Sequence, residues 1–266
     1  MSEVVNDVEG RQSETTASLF ENLLDLIAMQ EYADAIKFGL HILKLREVSD
    51  DAVVRCRCLW LMSLAYSRKG DNLGAHRVAQ EALDLSNLFE NVALRATCLN
   101  AYGASLANLG HQSEAQPYFE EAFHILQSSG NDNLKITNLY NLASLHLELG
   151  HYELAMHHIS DGLHLSYRTG IYERIGDLET VKGLIHVRMG KDTSAAESFE
   201  KALRFYQAFG LASGEAGSLV NLAEVFIRQH KNRDALQLLS KASSLADSAN
   251  DKHLQDVVKQ TLSLIS

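Results

Sequence analysis

Alanine stands at Ala35, Ala75, Ala115, Ala155, Ala195 and Ala235, every fortieth position through six copies. Five residues ahead of these alanines stand Gln30, Gly70, Gly110, Gly150, Gly190 and His230, and seven behind them Ile42, Ala82, Ala122, Gly162, Ala202 and Ala242. A fixed period of this length marks one supersecondary unit copied and stacked, each copy burying its apolar face against its neighbours. Such a chain builds an extended strip of core, so a single enclosed active site is not expected of it.

Each copy reads as two helices. In the third, Leu94, Cys98, Leu99, Tyr102, Leu106 and Leu109 recur at helical spacing, and Gly110 closes the run as a C-cap. Ala115, Phe119, Ala122, Phe123 and Leu126 give the apolar face of a second helix from about residue 112, closed by Gly130; Gly170 and Gly210 follow one and two periods on. A small residue on the first helix recurs too, as Ser63, Gly103, Ala143, Gly183 and Ala223. Small side chains at a crossing let two helices approach to about 8 Å, so the alanine column is expected at the hairpin crossings.

Composition narrows the function classes. With 46% apolar residues, a single proline and 16 glycines, the chain is rich enough in core formers to fold and poor in turn residues. A net charge of −10 disfavours nucleic acid and anionic membranes as partners, since both reward a basic surface. No apolar run approaches the roughly 20 residues that span a bilayer, and no secretory leader is visible. Cys56 and Cys58 point about 200° apart on a helix and cannot bridge each other. Three cysteines without a framework suit a reducing, cytoplasmic compartment.

Leu99, Tyr102, Gly103, Leu106, Gly110, Ala115, Phe119 and Ala122 stand in the order of the tetratricopeptide-repeat motif, and over residues 16–266 the chain resembles that family. Its period is longer than the usual 34 residues, as in long-repeat members from bacterial signalling proteins and kinesin light chains. The proline that usually closes each repeat is missing, with Gly130, Gly170 and Gly210 near its place. The resemblance implies an all-α fold: an α-solenoid of six hairpins plus a C-terminal helix, wound as a right-handed superhelix. Residues 1–15 are polar, acidic and aperiodic, and read as a disordered tail. Residues 16–250 form the six-repeat array. Residues 251–266 add one first-type helix that caps the array or links it to a following domain, and the apolar Leu262, Leu264 and Ile265 favour the link.

No phosphate loop, nucleophile elbow or zinc-protease helix motif occurs, so no catalytic residue is expected and no cofactor is implied. His157, Asp161 and His164 share a helix face beside His158, but the two outer histidines stand about 10 Å apart along the axis and do not close a metal site. Glu179 and Lys182 interrupt the apolar columns of the fifth repeat. A slight rotation bringing Leu178, Val181 and Leu184 inward would spare them the desolvation of burial; a buried functional pair and a locally open hairpin are the alternatives, and this break in regularity is where a ligand or hinge is expected. Pro117 is expected to give only a small local bend.

First helices line the concave side of such a stack. One inward column reads Ala28, Arg68, Asn108, Glu148, Arg188 and Arg228. Leu64, Ser144, Leu184 and Glu224 precede it by four residues, and Leu61, Asn141, Val181 and Asn221 by seven. Trp60, Asn100 and Tyr140 are expected to flank this wall. The candidate partner-binding residues are therefore Trp60, Arg68, Asn100, Asn108, Tyr140, Asn141, Ser144, Glu148, Arg188, Asn221, Glu224 and Arg228, with Asn141 and Asn221 foremost. Routine pairing of charges between neighbouring repeats is the competing reading. The resemblance implies a non-enzymatic module that binds a protein or peptide in its groove. It would be the sensor region of a bacterial signalling protein, ahead of a diguanylate cyclase or a transcription-regulator domain. The alternative is a free-standing scaffold or peptide receptor of the quorum-peptide or kinesin-light-chain type. The C-terminal helix is expected to contact a second copy or an output domain.

Overall fold

The computed structural model describes residues 16–45, 48, 50–248 and 251–265; the expected tail at 1–15 lies outside them. The fold is all-α, and no strand occurs among the described residues. Among the described residues thirteen helices follow one another as α1 (Thr16–Ala28), α2 (Tyr32–Ile42), α3 (Ala52–Lys69), α4 (Asn72–Ser86), α5 (Val92–Asn108), α6 (Gln112–Leu126), α7 (Asp132–Glu148), α8 (Tyr152–Thr169), α9 (Ile175–Arg188), α10 (Asp192–Ala208), α11 (Ala212–Arg228), α12 (Asn232–Ser248) and α13 (Lys252–Leu262). They pair as six hairpins with α13 left over. The chain divides into two compact units, residues 1–129 and 130–266.

Local chemistry sets the helix ends. Asp51, Asn91, Asn131 and Asp251 occupy one register and accept from backbone N–H groups of Val53, Leu94, Leu134 and Leu254 at 2.9 to 3.1 Å, the role of an N-cap. Ile171 and Leu211 fill that register in repeats five and six and cannot cap. α9 begins late, at Ile175, behind Arg174, which makes no side-chain cap bond. At the other end Gly70, Gly110, Gly150 and Gly190 have φ of +72° to +86°. The residue after each donates back to the helix: His111 to the Leu106 carbonyl at 3.0 Å, Lys191 to that of His186 at 2.8 Å. Gln30 (φ +63°) and His230 (φ +59°) hold the same left-handed turn without glycine.

All six periodic alanines are at most 1% exposed. Their small partners on the first helices meet a different group from the one expected. A Cβ on Gly103 would lie 2.9 Å from the ring of Phe119, and one on Gly183 closer still to that of Phe199. The ring four residues beyond the alanine therefore fills the space that glycine leaves. Where the second helix carries Ile159 or Leu239 instead, the first carries Ala143 or Ala223, and all four are buried. From the third hairpin to the sixth the pair keeps to a similar volume, as a close-packed interior demands; the second hairpin, with Ser63 and Ala79, does not follow this.

In the first unit Leu23, Ile42, Leu59, Met62 and Leu99 are buried completely or nearly so. Arg55–Glu81 and Arg95–Glu121 repeat one ion pair between first and second helices, one period apart. In the second unit Ile136, Ile159, Ile175, Leu178, Ile185 and Phe199 form the core. Tyr206 wedges between Gly176 and Gly214 and donates to Asp177 Oδ1 at 2.7 Å.

One expectation needs correction. Helix rotation does not spare Glu179: it is 3% exposed, with Lys182 Nζ 3.7 Å from its Oε2. Leu178 and Val181 are buried beside it, so the apolar register holds and pulls the carboxylate inward with it. Pro117 is the sixth residue of α6, past the first turn, and the helix continues through it to Leu126. At the C-terminal end Leu254 and Val258 pack with Leu239 and Ala242, while Leu264 is 64% exposed. Leu236 is exposed and lines an open cleft of about 580 Å³ with Leu239, Ser243 and Leu262.

Candidate functional site

First helices carry the candidate residues, and each unit presents its own set. In the first unit Trp60 is half-buried on α3 against the apolar core. Arg68 is exposed in the last turn of α3. The Asn108 amide, at the end of α5, donates to Ser67 Oγ at 3.1 Å, and its carbonyl accepts from Asn72 Nδ2 at 3.1 Å. Asn108 thereby ties adjacent hairpins together. Asn100 is 6% exposed and belongs to the interior, not to a flanking wall. The same correction applies to Leu61 and Val181, at 2% and 5%. α3, α5 and α9 each pack against their own second helix, the preceding second helix and the preceding first helix. Their buried arc is therefore wider than the single stripe of a surface helix.

In the second unit α9 touches both α7 and α11, so three first helices lie side by side. Their shared register sets Asn141, Ser144 and Glu148 beside Val181, Leu184 and Arg188, and these beside Asn221, Glu224 and Arg228. Tyr140, Asn141, Ser144, Leu184 and Asn221 are half-buried; Glu148, Arg188, Glu224 and Arg228 are exposed. Arg228 Nε stands 3.0 Å from Asp192 Oδ1 of the preceding hairpin, so one of these cations is already paired within the unit. Glu224 accepts from Thr261 Oγ1 of α13 at 3.4 Å. Though the residue is exposed overall, its carboxyl group is crowded on that side. Desolvation there holds it above the usual carboxylate range, and the Thr261 hydrogen bond offsets only part of that. The face combines amides and a hydroxyl at its centre with charges along one edge. Such groups can donate to and accept from an extended backbone.

A second concavity lies between α8 and α9. An open cleft of about 480 Å³ has Tyr152, Met156 and Met189 as its apolar part and Lys182, His186 and His157 as its polar part. His186 is held below the ordinary histidine range by burial first and by Lys182 and Lys191 next. Behind it, His146 and His158 stack at 5.4 Å with planes 12° apart. His158 is likewise depressed, by burial and then by His146 and His157, with Asp161 opposing. The loss of regularity at Lys182 pointed to this place in the sequence, but the cleft and its other lining residues were not foreseen. Its trace was present: Lys182 and His186, four residues apart, stand where other repeats carry Met62 and Tyr66, or Tyr102 and Leu106. His157 pairs with Asp161 at 3.3 Å, and His164 is exposed. Among the described residues no group of three or more His, Cys, Asp or Glu side chains is placed to hold a metal ion, and no helix is long and apolar enough to cross a membrane.

No protein-family model and no curated protein matches the chain. Solved structures do. The apo form of RapI is 14% identical, with 96% of this chain and 87% of that one covered at a TM-score of 0.70. A Rap protein complexed with competence and sporulation factor is 14% identical, with 98% and 78% covered at 0.71. PlcR of Bacillus thuringiensis, in complex with the peptide PapR7 and DNA, is 16% identical, with 76% and 74% covered at 0.63. At these identities the likeness concerns architecture. The two-helix units, their buried alanines and their left-handed C-caps agree with it: the chain has the tetratricopeptide-type helical-repeat fold, built on the long unit that its alanine spacing marks out.

Proposed function

We propose that the chain is a non-enzymatic module that binds an extended peptide or protein segment across the first helices of its second unit. The observation that carries this is the half-buried row Asn141, Ser144 and Asn221, set on three adjacent rigid helices with Arg188 and Arg228 at its edge. Amides in this position can pair with a peptide backbone whatever its side chains, while the cations select acidic or C-terminal groups. Likeness to Rap and PlcR structures described with competence and sporulation factor and with PapR7 supports a peptide as the ligand. The net charge of −10 favours a peptide over nucleic acid. The narrower reading is the peptide-sensing part of a cytoplasmic bacterial signalling protein, acting on an output domain or on a separate partner.

The test starts from peptides selected against the folded chain from a displayed library and measures their affinity by fluorescence anisotropy. Changing Asn141 and Asn221 together to Ala is expected to weaken binding at least tenfold, on the order of 1.4 kcal/mol, with Tm unchanged. Loss on Lys182→Ala or His157→Ala, with the Asn141 and Asn221 variant unaffected, would move the ligand to the α8/α9 cleft and overturn this reading.

A further inference from the structure

Cys56 on α3 and Cys98 on α5 come from adjacent hairpins of the first unit, yet their sulfurs lie 3.4 Å apart. Both side chains are fully buried, and both are free thiols. Cys56 Sγ also donates to the Ala82 carbonyl at 3.2 Å. Cys58, two residues along α3, turns the other way, to the Gly39 carbonyl at 3.6 Å. Helical geometry thus sorts the three cysteines into a facing pair and a bystander. A disulfide needs sulfurs about 2.05 Å apart, so closure asks for little more than an ångström of approach between two helices already in contact.

We infer that Cys56 and Cys98 form an oxidisable dithiol whose disulfide locks the second hairpin to the third. The oxidant is a peroxide. Cys56 thiolate attacks one peroxide oxygen, the O–O bond breaks, the sulfur becomes a sulfenic acid, and the departing hydroxide takes up the proton that Cys56 released and leaves as water. Cys98 sulfur then attacks the Cys56 sulfur, the S–OH bond breaks, and the Cys98 proton leaves with the hydroxyl as a second water. Two thiols and one hydrogen peroxide give one disulfide and two waters. The roles follow from the pair's geometry: with the Cys56 hydrogen directed at the Ala82 carbonyl, Cys98 is the thiol left to donate across the pair, which lowers the Cys56 pKa and raises that of Cys98. Burial pushes the Cys58 thiol up to about 12 and keeps it inert. Since neither sulfur of the pair touches solvent, peroxide reaches it when the hairpins part briefly, and mild urea accelerates the reaction. Once closed, the bond holds α3 and α5, and with them Arg68 and Asn108, at one spacing.

The experiment treats the full chain with hydrogen peroxide, with and without urea below the unfolding transition, then blocks free thiols and maps peptides by mass. The expected product has lost two hydrogens, links the Cys56 and Cys98 peptides and leaves Cys58 blocked as a free thiol. Reducing agent reverses it, and Tm rises by about 5 °C or more while the bond is present. Cys56→Ala and Cys98→Ser put at each site a residue the chain already uses there, Ala96 and Ser218, so both variants are expected to fold and neither to crosslink. A link through Cys58, stable sulfenic or sulfinic acid without a link, or unreacted thiols even in urea would each overturn the inference.

Discussion

Gly183 and Gly217 are both helical glycines, but a methyl group placed on the first runs into the Phe199 ring and one on the second meets nothing within 4 Å. Gly183→Ala is expected to destabilise by about 1–3 kcal/mol through overpacking, whereas Gly217→Ala is expected to be neutral or stabilising by up to about 1 kcal/mol. Adding Phe199→Leu to Gly183→Ala recreates the Ala223 and Leu239 pair of the sixth repeat and should recover much of the loss. Urea denaturation of the three variants checks this, and equal effects at both glycines would refute it. Glu179 makes a second case. Its column carries Leu59, Leu99, Leu139 and Leu219 elsewhere, and it is buried with only Lys182 at 3.7 Å. Glu179→Leu is expected to match or exceed wild-type stability by about 1–4 kcal/mol, while Lys182→Met, which strands the carboxylate, should cost several. A large loss on Glu179→Leu would show that the carboxylate holds the hairpin together.

At the scale of the helices, the left-handed turns that close the first helices of the six hairpins show how much was legible. Four glycines announced the turn, and the repeat register extended it to Gln30 and His230, where no local signal existed. Non-glycine residues there carry a steric cost of about 1–2 kcal/mol. Gln30→Gly and His230→Gly are each expected to raise stability by about 1 kcal/mol, read as a rise in Tm; an unchanged Tm would mean that the first and last repeats fray regardless. The caps at Asp51, Asn91 and Asn131 were equally open to reading. The late start of α9 was less so: Ile171 and Leu211 both lack a capping side chain, yet α11 starts on register at Ala212 and α9 only at Ile175. Candidate site residues were harder. Arg68, Arg188 and Arg228 are exposed. Asn100 is buried, because the burial of a first helix depends on three neighbours that periodicity along one helix does not describe.

Across each unit as a whole, titration should act unevenly. His158 and His186, both in the second unit, have pKa values depressed by burial. The unfolded chain therefore takes up protons on these rings at a higher pH than the folded one. Stability is full above the unfolded histidine value of about 6.5 and is lost as pH falls from there toward the lower folded values. Hydrogen exchange at pH 7.5 and 5.5 should show faster opening of α8 and α9 at the lower pH, and His158→Gln with His186→Gln should flatten the response. Equal acceleration in residues 52–126 would assign acid sensitivity to something else. Repeat period, helix count and buried alanines could all be read from spacing, while the cleft between α8 and α9 depends on which side chains two helices turn toward each other.

The matched volumes inside the hairpins have a consequence for how a chain of near copies finds its register. From the third hairpin to the sixth, the facing pairs run Gly103 with Phe119, Ala143 with Ile159, Gly183 with Phe199 and Ala223 with Leu239. A first helix that mates with the second helix one repeat away brings alanine against phenylalanine, or leaves glycine facing an aliphatic side chain. One error overpacks and the other leaves a void, and each is penalised. A mismatch by two repeats keeps the pairing and escapes the penalty, but must close a loop longer by two whole units. The alternation acts as a proofreading code written in side-chain volume, rejecting the nearest wrong partner during folding.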